Sequence, residues 1–316
     1  MTKLERIIVK SPPIAFLVRK SKATVFPGFH GIYLYDVVKF LMQQIRKEGL
    51  NVRAAAISFN LLMALPPLLI FLFTLIPYFP FHKEFSREII RVTKDLTPNQ
   101  TTFIWVRDFI DGFTRPRGGL LSFGFILAVI FSSNAMIGVM RSFDRSLHIM
   151  NRQKRNFFNF RWTAIRLTSI IVMLFIASLL ILITQKTLVR FVHIENKTLA
   201  WFLSSLRWLV IIALFYYGIG FIYRYAPAVE KKWKIGSPGT TLATTMMVLV
   251  FIIFSFWVNN FGNYNKVYGS IGTVLILMST IFLNSLILLV GFELNVSINY
   301  LRTQAELRQV KEEKLA

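Results

Sequence analysis

The stretch "VYGSIGTVLILMSTIFLNSLILLVGFELN" (Val267–Asn295) decides the fold. No charge interrupts it before Glu293, and Asn295 follows closely. A hydrocarbon core of ~30 Å is crossed by about 20 apolar residues in a helix, and Ile271–Phe292 supplies that length. Within lipid every backbone N–H and C=O needs a partner inside the segment, which a helix provides. A strand of a membrane barrel would alternate polar and apolar residues, and this run does not. The reading is therefore a transmembrane helix. A carboxylate closing such a run is either an ion pair that anchors the helix end or a gate residue.

Five further blocks read the same way: Ala54–Tyr78, Leu120–Met140, Leu167–Gln185, Trp208–Tyr223 and Pro238–Val258, none holding a charge. The fourth is short unless Leu199–Arg207 extends it. The whole chain is 54% hydrophobic and 16% charged, with a mean hydropathy of +0.55. Soluble domains carry roughly 45–50% apolar and about 25% charged residues. The first block begins after 53 residues and lacks a small-residue cleavage pattern, so it is expected to stay in the mature chain.

The net charge of +22 admits two readings. A soluble protein this basic would point to nucleic acid. Here the Lys and Arg residues sit between the apolar blocks, where they set topology and hold anionic lipid. Residues 1–53 carry ten of them, Arg141–Arg166 seven, Arg224–Lys234 four and the tail after Tyr300 four. Asn259–Ser270 carries one. Phe79–Gly119 carries seven, a mild conflict with the rule. Six spans with both termini cytoplasmic fit best. The expected partner is a bilayer with anionic headgroups at the cytoplasmic face, not nucleic acid. Association into a homo-oligomer stays open.

Cysteine is absent, which removes disulfides and thiolate chemistry. His30, His82, His148 and His193 are scattered, so no histidine metal site is expected. Neither a phosphate-binding P-loop nor a nucleophile elbow occurs. No cofactor and no enzymatic activity are expected.

Flanking pieces complete the plan. Tyr33–Gly49 puts Val37, Val38, Leu41, Met42 and Ile45 on one stripe, as a helix lying on the cytoplasmic surface would. Short helices are expected in the first external loop, around Phe85–Val92 and Phe103–Ile110. The start, Met1–Pro27, reads as polar and mobile, and Arg302–Ala316 as a charged helical tail. The organisation is thus 1–32 basic segment, 33–300 membrane domain and 301–316 tail.

Polar residues inside or beside the spans are the candidate site. Pro66 and Pro67 each remove an N–H and clash with the preceding turn, so the first span should kink or break. That break is either a packing feature or a transporter's hinge. Asn60 is placed to cap the freed carbonyls. Asn134 is either glue between helices or a solute contact. Arg141 and Asp144, at i,i+3, are spaced to pair at an interface. Asn263, Tyr264, Tyr268 and Gly269 lie in the external connection Asn259–Ser270, either a polar mouth or a hydrogen-bonded turn. Glu293 can pair with Arg53, Arg141 or Arg145, and Asn295 stands beside it.

Three stretches resemble the YihY/BrkB family. They are "AAAISFNLLMALPPLLIF" (Ala54–Phe71), "GGLLSFGFILAVIFSSNAMIGVMRSFDRSL" (Gly118–Leu147) and the Asn/Tyr-rich turn that leads through the last span to Gly-x-Glu-Leu-Asn (Gly291–Asn295). The resemblance covers about residues 35–300. It implies a bacterial inner-membrane protein with six spans, the number counted from the blocks. A ribonuclease label once borne by that family is opposed by the scattered histidines and the absence of an acidic metal cluster. Ser279, Thr280, Asn284 and Ser285 make the sixth span unusually polar, as a pore-facing helix would be. The functional expectation is a transporter or permease-like protein for a small or lipid-like solute. The alternative is a scaffold that organises envelope proteins or lipids.

Overall fold

The computed structural model describes residues 12–47, 49–75, 118–147, 155–191, 197–230, 232–260 and 264–313, with isolated positions 77, 90, 103–104 and 107–108. These form helices α1 (Pro12–Ser21), α2 (Leu34–Lys47), α3 (Leu50–Leu75), α4 (Gly118–Ser146), α5 (Phe157–Phe191), α6 (Lys197–Tyr225), α7 (Pro238–Asn260) and α8 (Tyr264–Glu313). Among the described residues, six helices, α3 to α8, are long and apolar enough to cross a membrane. The chain is all-α, as its apolar blocks required.

Sequence neighbours are neighbours in space. Each of α3 to α7 packs on the next, α7 packs on α8, and α8 returns to α3. The six spans therefore close into a ring, and α8 also reaches across to α4. Gly49, at φ +58°, lets the chain leave α2 and enter α3 almost at once. Because successive spans run in alternate directions, the start of α3, the α4–α5 and α6–α7 connections and the α8 tail belong to one end of the ring, here termed the basic end.

The packed core sits at that end. Ala54 and Ile57 of α3, Met140, Phe143 and Leu147 of α4, and Leu167 of α5 are buried there. So are Tyr223, Ala243, Leu289, Phe292 and Val296. Between helices already in lipid the hydrophobic effect adds little, so close packing and interhelical hydrogen bonds hold them. Phe143 and Phe292 stack face to face at 3.8 Å, with Tyr223 and Trp233 against them.

The opposite end is looser. Phe251, Ile252, Ile253 and Phe256 of α7 are exposed, as are Val274, Leu275, Leu277 and Met278 of α8. At 100° per residue these positions point round most of the helix, so along residues 251–256 and 274–278 both helices show much of their surface. Among the described residues the α3–α4 seam stays tight that far out, with Phe71 against Phe125 at 5.4 Å and Thr74 buried.

Several expectations need correction. α3 is continuous through Pro66 and Pro67, so of the expected kink or break the break does not occur, and contacts with α4 flank the prolines, Asn60 at Gly138 and Phe71 at Phe125. The fourth span does have the Leu199–Arg207 extension that its length called for, since α6 starts at Lys197. The start read as mobile contains α1, whose end is tied by Ser21 Oγ donating to Val18 O at 2.9 Å. The connection read as Asn259–Ser270 shrinks, because α8 begins at Tyr264. α8 then crosses residue 300 into the tail without interruption. The short helices expected around Phe85–Val92 and Phe103–Ile110 fall largely outside the described residues.

The surface stripe of α2 divides. Val37 and Leu41 are buried against Leu294 and Ile298 of α8, while Phe40 stacks on Tyr300 at 5.0 Å. Val38 and Met42 remain exposed.

Candidate functional site

Five consecutive residues at the middle of α8 reach neighbours on different sides, because each step turns the helix by about 100°. Gly291 lies on α7, and Phe292 stacks on Phe143 of α4. Glu293 meets α3 and α4, Leu294 packs on α2, and Asn295 reaches the start of α7. The carboxylate ending the apolar run therefore lies inside the protein, not among headgroups.

Glu293 and Arg53 are 1% and 2% exposed. Arg53 Nη1 donates to Glu293 Oε1 at 3.1 Å, and Nη2 donates to Ser146 Oγ at 2.6 Å. Nη2 also donates to the carbonyl of Ser142, and Ser146 Oγ donates to Glu293 Oε1. The Ser142 carbonyl belongs to the last turn of α4, where the helix dipole favours a cation. Asp144, in the same turn, is buried as well.

Magnitudes show what this pair is for. Two unit charges ~4 Å apart attract by about 4 kcal/mol at an effective dielectric of 20. Desolvation costs several kcal/mol per ion. Summed over both ions that cost exceeds the attraction, and the hydrogen bonds to Ser142 and Ser146 recover part of the difference, so the pair adds little or no net stability. What it provides is a specific, breakable link among α3, α4 and α8.

Asn295 closes a second junction. Its Oδ1 accepts from the Gly239 N–H at 2.9 Å, and its Nδ2 donates to Ser237 Oγ at 2.8 Å. Ser237 is the N-cap of α7, its Oγ accepting from the Thr240 N–H at 3.3 Å. Ser237→Ala removes both the cap and the Asn295 partner. It should lower stability by about 2 kcal/mol, one for the cap and one for the orphaned amide. A thermal melt in detergent checks this, and an unchanged midpoint would refute the clamp.

The other candidates scatter. Asn60 shares the α3 face of Arg53, two turns further on, and its Nδ2 donates back to Ala56 O at 2.8 Å. It does not reach the carbonyls near the prolines, because an i−4 acceptor lies closer. It sits instead against Gly138 of α4. Pro66 is exposed and Pro67 half-buried on the same helix. Asn134 faces away from that seam, exposed, and accepts from Arg161 Nη1 at 2.5 Å. Arg141 is exposed while Asp144 is buried, so the expected i,i+3 pair is split between two environments. Asn263 lies outside the described residues, and Tyr264, Tyr268 and Gly269 are described in their helical backbone alone.

In the sixth span Ser285 is buried and bonds to Ile281 O, and Thr280 bonds to Ile276 O. Ser279 is exposed. Asn284 Oδ1 is buried and lacks a hydrogen-bond partner among the described residues.

Sequence reasoning named Arg53 only among three possible bases and missed Ser142, Ser146, Ser237, Gly239, Gly291 and Tyr223. Ser142 and Ser146 carried a signal: at i,i+4 they share the α4 face beside which Glu293 docks.

The family model described as Virulence factor BrkB matches residues 41–315. The ribonuclease-like protein YfkH of Bacillus subtilis (strain 168) is 28% identical over 78% of this chain and 89% of its own length. A UPF0761 membrane protein of Stenotrophomonas maltophilia (strain K279a) is 28% identical over 85% of this chain. Another, from Xanthomonas campestris pv. campestris (strain B100), is 26% identical over the same share. This chain spans 62% of the length of either UPF0761 protein. No solved structure matches. With its helical ring, the match over nearly all of it and these membrane relatives, the chain is an integral membrane protein that belongs to the Virulence factor BrkB family.

Proposed function

We infer that this protein is a transporter for a small or lipid-like solute, and that the Arg53–Glu293 pair is its gate at the basic end. The observation that carries the reading is the buried ion pair itself. Ionisable residues inside a membrane domain are expensive and mark pathways. This one bridges three helices at the end of the ring where the described residues pack closely, while residues 251–256 of α7 and 274–278 of α8, toward the other end, are largely exposed. By the distribution of Lys and Arg, the basic end faces the cytoplasm of a bacterial inner membrane and both termini lie there. The exposed Val38 and Met42 edge of α2 then rests in the headgroup region. The ring is thus closed inward. Opening it requires Arg53 and Glu293 to part or to rotate together with α8. The chain moves its solute without transforming it, and the ribonuclease-like name of the Bacillus relative is not carried over.

The natural absence of cysteine makes the test clean. Ser142→Cys keeps the backbone carbonyl that Arg53 uses, and the residue is buried next to the gate. Ser133→Cys is a fully buried reference on the same helix. In inside-out vesicles a membrane-impermeant maleimide should label Ser142→Cys and leave Ser133→Cys unmodified. Adding Glu293→Gln should accelerate the labelling. If Ser142→Cys stays as inert as the reference with and without Glu293→Gln, the gate does not open and the static scaffold is the correct reading.

A further inference from the structure

The geometry points to a binding site for the phosphate of an anionic phospholipid on the outer face of the α4–α5 pair. Asn134, Arg141 and Arg145 fall at i, i+7 and i+11, within about 20° of one line along α4. All three are exposed. Arg161 of α5 joins this line by donating to Asn134 Oδ1 at 2.5 Å. The line faces outward, since the buried side of α4 carries Met136, Val139, Met140 and Phe143.

The charge balance asks for an anion. Among the described residues no carboxylate pairs with Arg141 or Arg161, and Asn134 is a neutral partner that holds the guanidinium without neutralising it. Arg161 meets α4 inside the apolar span Ser122–Ser146, and Arg141 lies about 10 Å nearer the basic end at 1.5 Å per residue. A cation at that depth is costly unless it reaches an interface or finds a counterion. A phospholipid phosphate, held at the edge of the hydrocarbon by its own chains, meets both needs. Guanidinium groups suit it because they donate two parallel hydrogen bonds to phosphate oxygens. Trp162, exposed on the next residue of α5, is the kind of side chain that sits at headgroup level.

This site rests on the basic end facing an anionic leaflet, but not on transport. A protein that never opens its gate would still hold the lipid.

The experiment uses the full chain purified in detergent, stripped of lipid and returned to nanodiscs. One set contains phosphatidylethanolamine alone, and the other adds one-fifth phosphatidylglycerol. Native mass spectrometry of the protein ejected from the mixed discs should show retained phosphatidylglycerol. Arg141→Gln and Arg161→Gln should each weaken retention about fivefold, the value of one basic residue near an anionic surface. Arg161→Lys, which keeps the charge, should recover most of its loss and shows whether the Gln variant merely misfolds. Arg302→Gln, an exposed arginine on the α8 tail paired with Glu306, is the control and should change nothing. Equal retention in the Arg141→Gln/Arg161→Gln double variant overturns the site. So does equal retention of phosphatidylethanolamine. Displacement of the lipid by millimolar inorganic phosphate overturns the lipid as its occupant.

Discussion

Arg53→Met is expected to lower the stability of the purified protein by about 3–5 kcal/mol, the size associated with stripping one partner from a buried ion pair. Methionine keeps much of the arginine stem's packing volume, so the loss reports charge and not a cavity. The Glu293 carboxylate, 1% exposed, is left with Ser146 as its remaining donor from this network. The α4 carbonyl of Ser142 also loses its guanidinium partner. Thermal unfolding in detergent reads the effect through tryptophan fluorescence, since Trp233 packs on Phe292 at 5.2 Å, beside the pair.

The second arm separates gate from glue. Arg53→Met/Glu293→Met removes both charges and both desolvation penalties. Apolar replacements of similar volume are often neutral or better, so the double variant should melt within about 1 kcal/mol of the natural protein. It should nevertheless lose control of access at Ser142. A double variant as unstable as Arg53→Met alone would show that the pair is needed for folding, and the gate reading would lose its support. A single variant with an unchanged melting point would show the pair is not formed.

The spans were legible because lipid imposes a simple demand: a run of apolar residues long enough to cross has one backbone solution. Ile271–Phe292 read as a helix for that reason, and α8 contains all of it. Glu293 stood out because a charge at the end of such a run is costly. Its partner was less visible. Arg53, Arg141 and Arg145 were equivalent in the sequence, and only the ring closure of α8 on α3 selects Arg53. Periodicity within one helix does not show which helix lies opposite. Asn60 illustrates a different failure. Its amide was assigned to carbonyls freed by the prolines, but the local i−4 carbonyl of Ala56 satisfies it first. The asparagine-rich connection misled through composition: Tyr264–Ser270 looks like a turn, yet it is the first part of a helix that continues for 50 residues. The glycines of the α6–α7–α8 junction carried no signal, because a single glycine at a close contact looks like any other.

Those glycines carry the second large effect. Gly239→Ala should destabilise the protein by about 3 kcal/mol, the upper part of the range for forcing an extra carbon into a packed site. A methyl at Gly239 would overlap the carbonyl oxygen of Gly291 and come within 2.7 Å of Asn295 Cγ. The first obstacle is backbone on another helix, which moves only if α7 and α8 separate. Separation also breaks the Gly239 N–H bond to Asn295. Gly291→Ala meets Tyr223 Oη at 2.5 Å, Gly239 O at 2.7 Å and Ala243 Cβ at 2.9 Å. To make room, Tyr223 would have to give up its hydrogen bond to Leu288 O, made at 2.7 Å in a fully buried setting. Alanine in a helix interior gains about 1 kcal/mol over glycine, which offsets part of this loss but not all of it. Gly119→Ala provides the comparison. Its added methyl would meet nothing within 4 Å, so its melting point should hold or rise slightly. If all three alanine variants melt alike, α7 and α8 do not approach as closely as these contacts require, and Glu293, carried on the same turn as Gly291, would not be held against Arg53.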